Sequence, residues 1–170
     1  LKISVFTEVH ILQFLELYGT ELQILAYVAL AMVLGAVIGL EREFKDKPAG
    51  LRTHILVAGS SALLVALGDV IATQFEIDLG QQIIQADPTR IMEAVIIGIS
   101  FVGAGTIIRS REGGEVEGLT TAASLLVASG VGISVVLSKF VLAVGVTILA
   151  LFTLRVLSYL EFRVASRKEK

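Results

Sequence analysis

The chain has 170 residues, 55% of them hydrophobic, a mean hydropathy of +0.84 and a formal net charge of −2. Soluble domains are about 45–50% apolar and interleave their charges; here the charges stand in blocks between long apolar runs. That pattern defines an all-α, polytopic transmembrane bundle and excludes a soluble one, whose helices would be striped rather than apolar all round. No period-2 alternation runs through the segments, which excludes a transmembrane β-barrel. The absence of cysteine excludes disulfides, thiolate metal sites and cysteine nucleophiles, and two histidines are too few for a His-rich metal centre.

Residues 1–21 mix apolar positions with Glu8, His10, Gln13 and Glu16, which predicts an interfacial amphipathic helix rather than a span. His10 reads as a headgroup-level polar residue in preference to a ligand. The first span is 22–40. Ala31, Gly35 and Gly39 recur every four residues and make a small-residue face, which serves either internal helix packing or a homodimer contact. Residues 41–54 form a charged loop with a turn signal at Pro48-Ala49-Gly50, and Glu41 is placed to pair with Arg52 at the membrane boundary. The second span is 55–73, with Ala58, Ala62 and Ala66 as its small face and Asp69 near its end, where it needs water or a partner. Residues 74–86 read as a loop or short surface helix.

Asp87 is a helix cap and Pro88 suits the first helical position of a third span, 91–108, whose one ionisable residue is Glu93. Eighteen residues at about 1.5 Å each cover about 27 Å, close to the hydrocarbon thickness of a bilayer. The loop 109–118 turns at Gly113-Gly114. The fourth span is 119–138, with Ser124, Ala128 and Gly132 as its small face. Thr120 and Thr121 at its entrance satisfy backbone groups or offer oxygens to an ion. The fifth span is 140–154, and 156–170 make a basic tail. The transmembrane domain is thus 22–155.

Five spans place eleven of the 14 Lys and Arg residues on one side, leaving Lys2, Arg90 and Lys139 on the other. The positive-inside rule then predicts an outer N-terminus and a cytoplasmic C-terminus. Asp69, Glu76, Asp78, Asp87 and Glu93 fall toward the outer side. Asp87 and Glu93 are the candidate metal ligands, since Mg²⁺ prefers carboxylate oxygens; the alternative is Asp87 as cap and Arg90–Glu93 as an i,i+3 pair. No P-loop, GxSxG, HExxH or paired-carboxylate motif appears, so no catalytic residue and no required cofactor are predicted. Acids offset the basic loops, which argues against a nucleic-acid partner. The expected partners are the lipid bilayer, a second copy of the chain as a dimer, and another membrane complex.

Five blocks carry a family resemblance: GLERE at 39–43, KPAGLRTH at 47–54, DPTRI at 87–91, GISFVGAGTIIR at 98–109 and GLTTAASL at 118–125. In this order they resemble the membrane domain of the MgtC/SapB family of bacterial inner-membrane proteins, over roughly 22–154. The resemblance implies a plasma-membrane protein connected with magnesium homeostasis. The family is labelled a magnesium transporter, while some virulence-linked members look like regulators, in part of the ATP synthase. Many members carry a soluble domain after the last span, and an activity placed there is not expected of these residues. The chain has Leu126-Val127 where the family often has an aromatic, and Thr120 where some relatives have Asn. The resemblance picks out Glu41, Arg42, Arg52, Thr53, His54, Asp87, Arg90, Arg109, Thr120 and Thr121. All gather at helix ends, where they form a polar network tying the helices together or serve only as anchors that stabilise the fold. The favoured function is a non-catalytic regulator acting through membrane contacts; the alternative is a Mg²⁺ transporter or channel using the outer carboxylates.

Overall fold

A computed structural model describes residues 2–79, 88–109 and 116–157, with side chains described for 18–73, 89–107 and 116–156. The helices are α1 (Lys2–Glu43), α2 (Leu51–Leu79), α3 (Pro88–Gly105), α4 (Leu119–Val136) and α5 (Phe140–Phe152), followed by a π-helical turn at Thr153–Leu157. Two-residue strands, β1 (Ile108–Arg109) and β2 (Val116–Glu117), pair antiparallel with Ile108 opposite Glu117.

The bundle is turned inside out relative to a soluble one. Its outward positions are large and apolar: Phe101 is 82% and Val141 90% exposed. Its interior is small or polar, with Ala31, Ala58, Ala62, Ala128 and Ala143 buried beside Ser61, Thr121, Ser124, Ser129 and Thr147. Lipid tails solvate leucine as well as a protein core does, so close backbone approach and internal hydrogen bonds hold the helices together. The protein is therefore membrane-embedded. Tyr18–Glu43, Leu51–Thr73 and Leu119–Val136 are long and apolar enough to cross a bilayer, and Phe140–Val156 is a shorter apolar helix.

Helices α2 and α4 form the centre: α4 packs against α1, α2, α3 and α5, and α2 against α1, α3 and α4. Ala58 lies between two glycines of neighbouring helices. A Cβ on Gly35 of α1 would stand 2.6 Å from the His54 carbonyl oxygen and 2.7 Å from Ala58 Cβ. A Cβ on Gly132 of α4 would collide with the Ala58 carbonyl oxygen. Hence α1 and α4 both reach the backbone of α2. Gly39 continues the α1 contact, against Leu51 and His54. Outside this core, α3 lies against α2 and α4 through Val65, Val95 and Ile133, and Ala143 of α5 joins the cluster of Ala31, Ala58 and Val131.

Several helix ends lie away from the expected span ends, and the larger differences are these. No break separates an N-terminal segment from the first span; α1 is one helix of 42 residues, about 63 Å long, well beyond a bilayer's hydrocarbon. Between Lys2 and Glu43 the sequence offers no proline and only scattered glycines, so nothing ends the helix. Up to residue 17, the side chains of the expected interfacial segment 1–21 lie outside the described residues. Helix α2 likewise continues to Leu79, past the expected span end. Helix α3 stops at Gly105 instead of Ile108, where Thr106 and Ile107 donate to the carbonyls of Gly103 and Ala104 and the chain turns into β1. Glycine disfavours helix, and the Thr106 hydroxyl takes the Gly103 carbonyl as well. The basic tail 158–170 lies outside the described residues.

Candidate functional site

At one end of the bundle, polar side chains of α1, α2 and α4 meet below the lipid-facing shell. Glu41 and Arg42 are 3% and 4% exposed although both are charged. The last turn of α1 carries them inward because Ile38, on the same face, is fully buried. Glu41 Oε1 stands 2.8 Å from Lys45 Nζ, one helical turn on, and Oε2 stands 3.9 Å from Arg42 Nη1. The Lys45 approach is an ion pair without hydrogen-bond alignment, so both carboxylate oxygens and Arg42 Nε lack a directed hydrogen-bond partner. Lys45 donates instead to the Leu154 carbonyl at 2.8 Å, tying the turn after α1 to the π turn.

Arg42 Nη2 donates to Thr121 Oγ1 at 3.0 Å, inside the first turn of α4. One turn further, His54 joins α2 to α4. Its Nδ1 lies 2.9 Å from the Gly50 carbonyl, and Nε2 lies 3.0 Å from Ser124 Oγ. A carbonyl only accepts, so Nδ1 carries a proton. In the neutral ring Nε2 then accepts from the Ser124 hydroxyl. That hydroxyl also lies 2.8 Å from the Thr121 carbonyl, so its one proton serves one of two acceptors at a time.

The connection between α1 and α2 is built for this arrangement. Asp46 adopts a left-handed backbone (φ 49°), which Asp tolerates better than most residues. The chain then returns so that Glu43 Oε2 accepts from the Leu51 amide at 2.9 Å and caps α2 with a negative charge. Gly50 lies against that carboxylate, where a side chain would collide with Glu43 Oε2. On the facing side, Gly118 ahead of α4 has φ 89° and provides no side-chain cap. Between these two walls lies a cavity of about 780 Å³, lined by Arg42, Lys45, Lys47, Glu117, Thr120 and Thr121 among others.

Of the residues expected to matter, Glu41, Arg42, His54 and Thr121 come together here. Thr120 is exposed on the cavity wall, Thr53 is half-buried and Arg52 exposed. Glu41 pairs with Lys45 rather than Arg52, because Arg52 faces outward on α2. Arg109 lies in β1, but its side chain is outside the described ones. Asp87 lies outside the described residues. Arg90 and Glu93 are exposed on α3, and the ion pairs among the described residues are those of Glu41 alone, so the expected i,i+3 pair is not made. No group of three His, Asp or Glu positioned to hold a metal occurs among the described residues. Ala31, Gly35 and Gly39 face α2 of their own chain.

Several partners escaped the sequence reading. Lys45 was legible, lying four residues after Glu41 in the turn that follows α1. Ser124 follows Thr121 by one turn. Ser61 and Ser129, buried and 2.8 Å apart, join α2 to α4 deep in the bundle. At the opposite end, Tyr27 receives a hydrogen bond from Gln23 at 2.8 Å, lies 3.2 Å from the Ser138 hydroxyl and stacks obliquely on Phe140 at 5.9 Å.

A bundle with small, polar internal seams and charged groups buried at its helix ends is an integral membrane protein of the multi-helix class. The chain belongs to the MgtC family, whose family model matches residues 28–163. It is 40% identical over 111 residues to protein SapB of Bacillus subtilis, covering 65% of this chain and 46% of SapB. It is 39% identical over 122 residues to protein MgtC of Salmonella typhimurium, covering 71% and 46%. With YhiD of Escherichia coli K12, provisionally named a magnesium transporter, it shares 33% identity over 138 residues, covering 81% and 62%. The chain thus spans about half to three-fifths of these relatives. No solved structure matches significantly.

Proposed function

We propose that this protein is a magnesium-linked, non-catalytic regulator of the bacterial inner membrane that acts through contacts with another membrane complex. The observation carrying this reading is the closure of the bundle around Ala58, against which both Gly35 of α1 and Gly132 of α4 are pressed. Deep in the bundle, Ser61 pairs with Ser129 and His54 with Ser124, and the buried charges that lack hydrogen-bond partners stand at one end of it, which supports a closed bundle over a polar lane across the membrane. The link to magnesium comes from the family resemblance and from the name of YhiD.

In this reading five spans put the Arg42 network at the cytoplasmic side, with the N-terminus outside. Lacking cysteine, the chain suits single-cysteine mapping. Lys47→Cys should resist a membrane-impermeant maleimide in intact cells, and Lys139→Cys should react. The partner is a multi-subunit membrane assembly, with ATP synthase the first candidate from the resemblance. A second copy of the chain would use an outward face such as that of α3 or α5, since the Gly35–Gly39 face meets α2. A photo-crosslinker at Phe101 or Val141 should capture a subunit of that assembly, or a second copy, in membranes of magnesium-starved cells. Labelling by lipid alone at both positions would remove the contact-based reading.

The second reading is a divalent-cation transporter, favoured by the name of YhiD. It would use Asp87 and Glu93 as entry carboxylates and Mg²⁺ as cargo.

A further inference from the structure

The cavity between the end of α1 and the start of α4 is lined by charged groups that the fold leaves partly unpaired. Its volume of about 780 Å³ lies within the ~300–1,000 Å³ common for small-ligand sites. The wall holds Arg42, Lys45 and Lys47 against two carboxylates, Asp46 and Glu117. Lys45 is already committed to Glu41 and to the Leu154 carbonyl. Arg42 is not so committed. A guanidinium has five N–H donors. Buried to 4% exposure, Arg42 makes one side-chain hydrogen bond, to Thr121, keeps Glu41 at 3.9 Å, and leaves Nε without a partner. Lys47 is exposed and has no ion-pair partner among the described residues.

The opposite wall adds donors. Gly118 has no side chain to cap α4, whose first backbone bond runs from the Ala122 amide to the Gly118 carbonyl. The amides ahead of Ala122 therefore have no side-chain acceptor, and they carry the positive end of the helix dipole. Thr120, on the same wall, is exposed with its hydroxyl unengaged among the described residues. Nε itself is sealed from the cavity, so what Arg42 brings to the wall is a guanidinium with a single side-chain hydrogen bond, beside an ammonium without an ion pair and an uncapped helix start, and together these are the complement of a tetrahedral oxyanion.

We propose that this cavity binds a phosphate group, carried by an anionic lipid headgroup or free in solution, held by Arg42, Lys47, Thr120 and the first turn of α4. The site lies at helix ends, where a headgroup and a soluble phosphate can both reach it.

The test uses the full chain in detergent, stripped of lipid. Inorganic phosphate is titrated against thermal stability, and separately the protein is incubated with phosphatidylglycerol or phosphatidylcholine and retained lipid is counted by native mass spectrometry. Stabilisation by phosphate identifies the free anion; selective retention of phosphatidylglycerol identifies the headgroup. In either case the exposed-residue variant Lys47→Gln/Thr120→Val should weaken binding about tenfold or more while its own unliganded melting temperature stays near wild type. Lys139→Gln, at the other end, should leave binding unchanged. Absence of both phosphate and phosphatidylglycerol binding, or binding that Lys47→Gln/Thr120→Val leaves intact, overturns the proposal. Arg42→Lys is a further variant, informative where it folds, because an ammonium cannot reproduce the guanidinium fork.

Discussion

Arg42 in the last turn of α1 donates to the hydroxyl of Thr121 in the first turn of α4, 3.0 Å away and 79 positions later in the chain. Both side chains are buried, so losing the bond leaves a largely desolvated group short of a partner. Thr121→Val keeps the shape and removes the acceptor. We expect a loss of ~1–3 kcal/mol, because the buried guanidinium is left shorter of partners. Combined with Arg42→Met, the second change should cost less than it does alone, with a coupling of ~0.5–3 kcal/mol in a double-mutant cycle read by unfolding in micelles. Additive losses would mean that the bond contributes nothing to stability.

Substituting the glycines should separate two classes. Gly132→Ala drives a methyl into the Ala58 carbonyl oxygen, and Gly35→Ala meets the His54 carbonyl, so each should destabilise by ~1–3 kcal/mol. Gly98→Ala on α3 meets nothing within 4 Å and should be neutral or slightly stabilising. Melting temperatures of the three variants check the prediction, and equal effects would contradict the close approach of α1 and α4 to the α2 backbone.

Within the bundle, Ser61 and Ser129 form one hydrogen bond with each other. Buried interhelical bonds in membrane proteins average about 0.6 kcal/mol and reach about 1.7 kcal/mol. Ser61→Ala and Ser129→Ala should each fall in that range, and the double variant should cost little more than either. A double variant that costs the sum would show that each hydroxyl has a separate role.

His54→Leu should be the costliest change on α2. It removes the donor to the Gly50 carbonyl and the partner of Ser124 at once. His54→Gln keeps an amide able to donate and accept, so it should recover part of the loss. Hydrogen exchange at the start of α2 would show the difference, with faster exchange in the leucine variant. Identical protection in both would sever the link between the imidazole and this helix start.

The helices were legible in the sequence because apolar runs of bilayer length are bounded by charge blocks, and Pro88 marks the start of α3 where expected. The grouping of Glu41, Arg42, His54 and Thr121 was legible only as a gathering at helix ends. Who meets whom was not. The Glu41–Arg52 pairing failed because the rotation of α2 turns Arg52 outward while His54, two residues on, turns inward. That rotation is set by Gly35 and Gly39 seating α1 on α2, a three-dimensional fit that spacing alone leaves undetermined. The change of polarity at residue 21, expected to divide an interfacial helix from the first span, falls within the continuous helix α1, because no proline there interrupts the backbone. The β1–β2 ladder was hidden in a segment too short to show a period.

The most direct test of the regulatory reading is Mg²⁺ entry into liposomes holding the purified, correctly folded protein under an imposed gradient. The account predicts entry no faster than in protein-free liposomes, while the same preparation still crosslinks to its membrane partner. Saturable, protein-dependent entry that is lost in Asp87→Asn or Glu93→Gln, with both variants folded, would contradict it and make this chain a transporter.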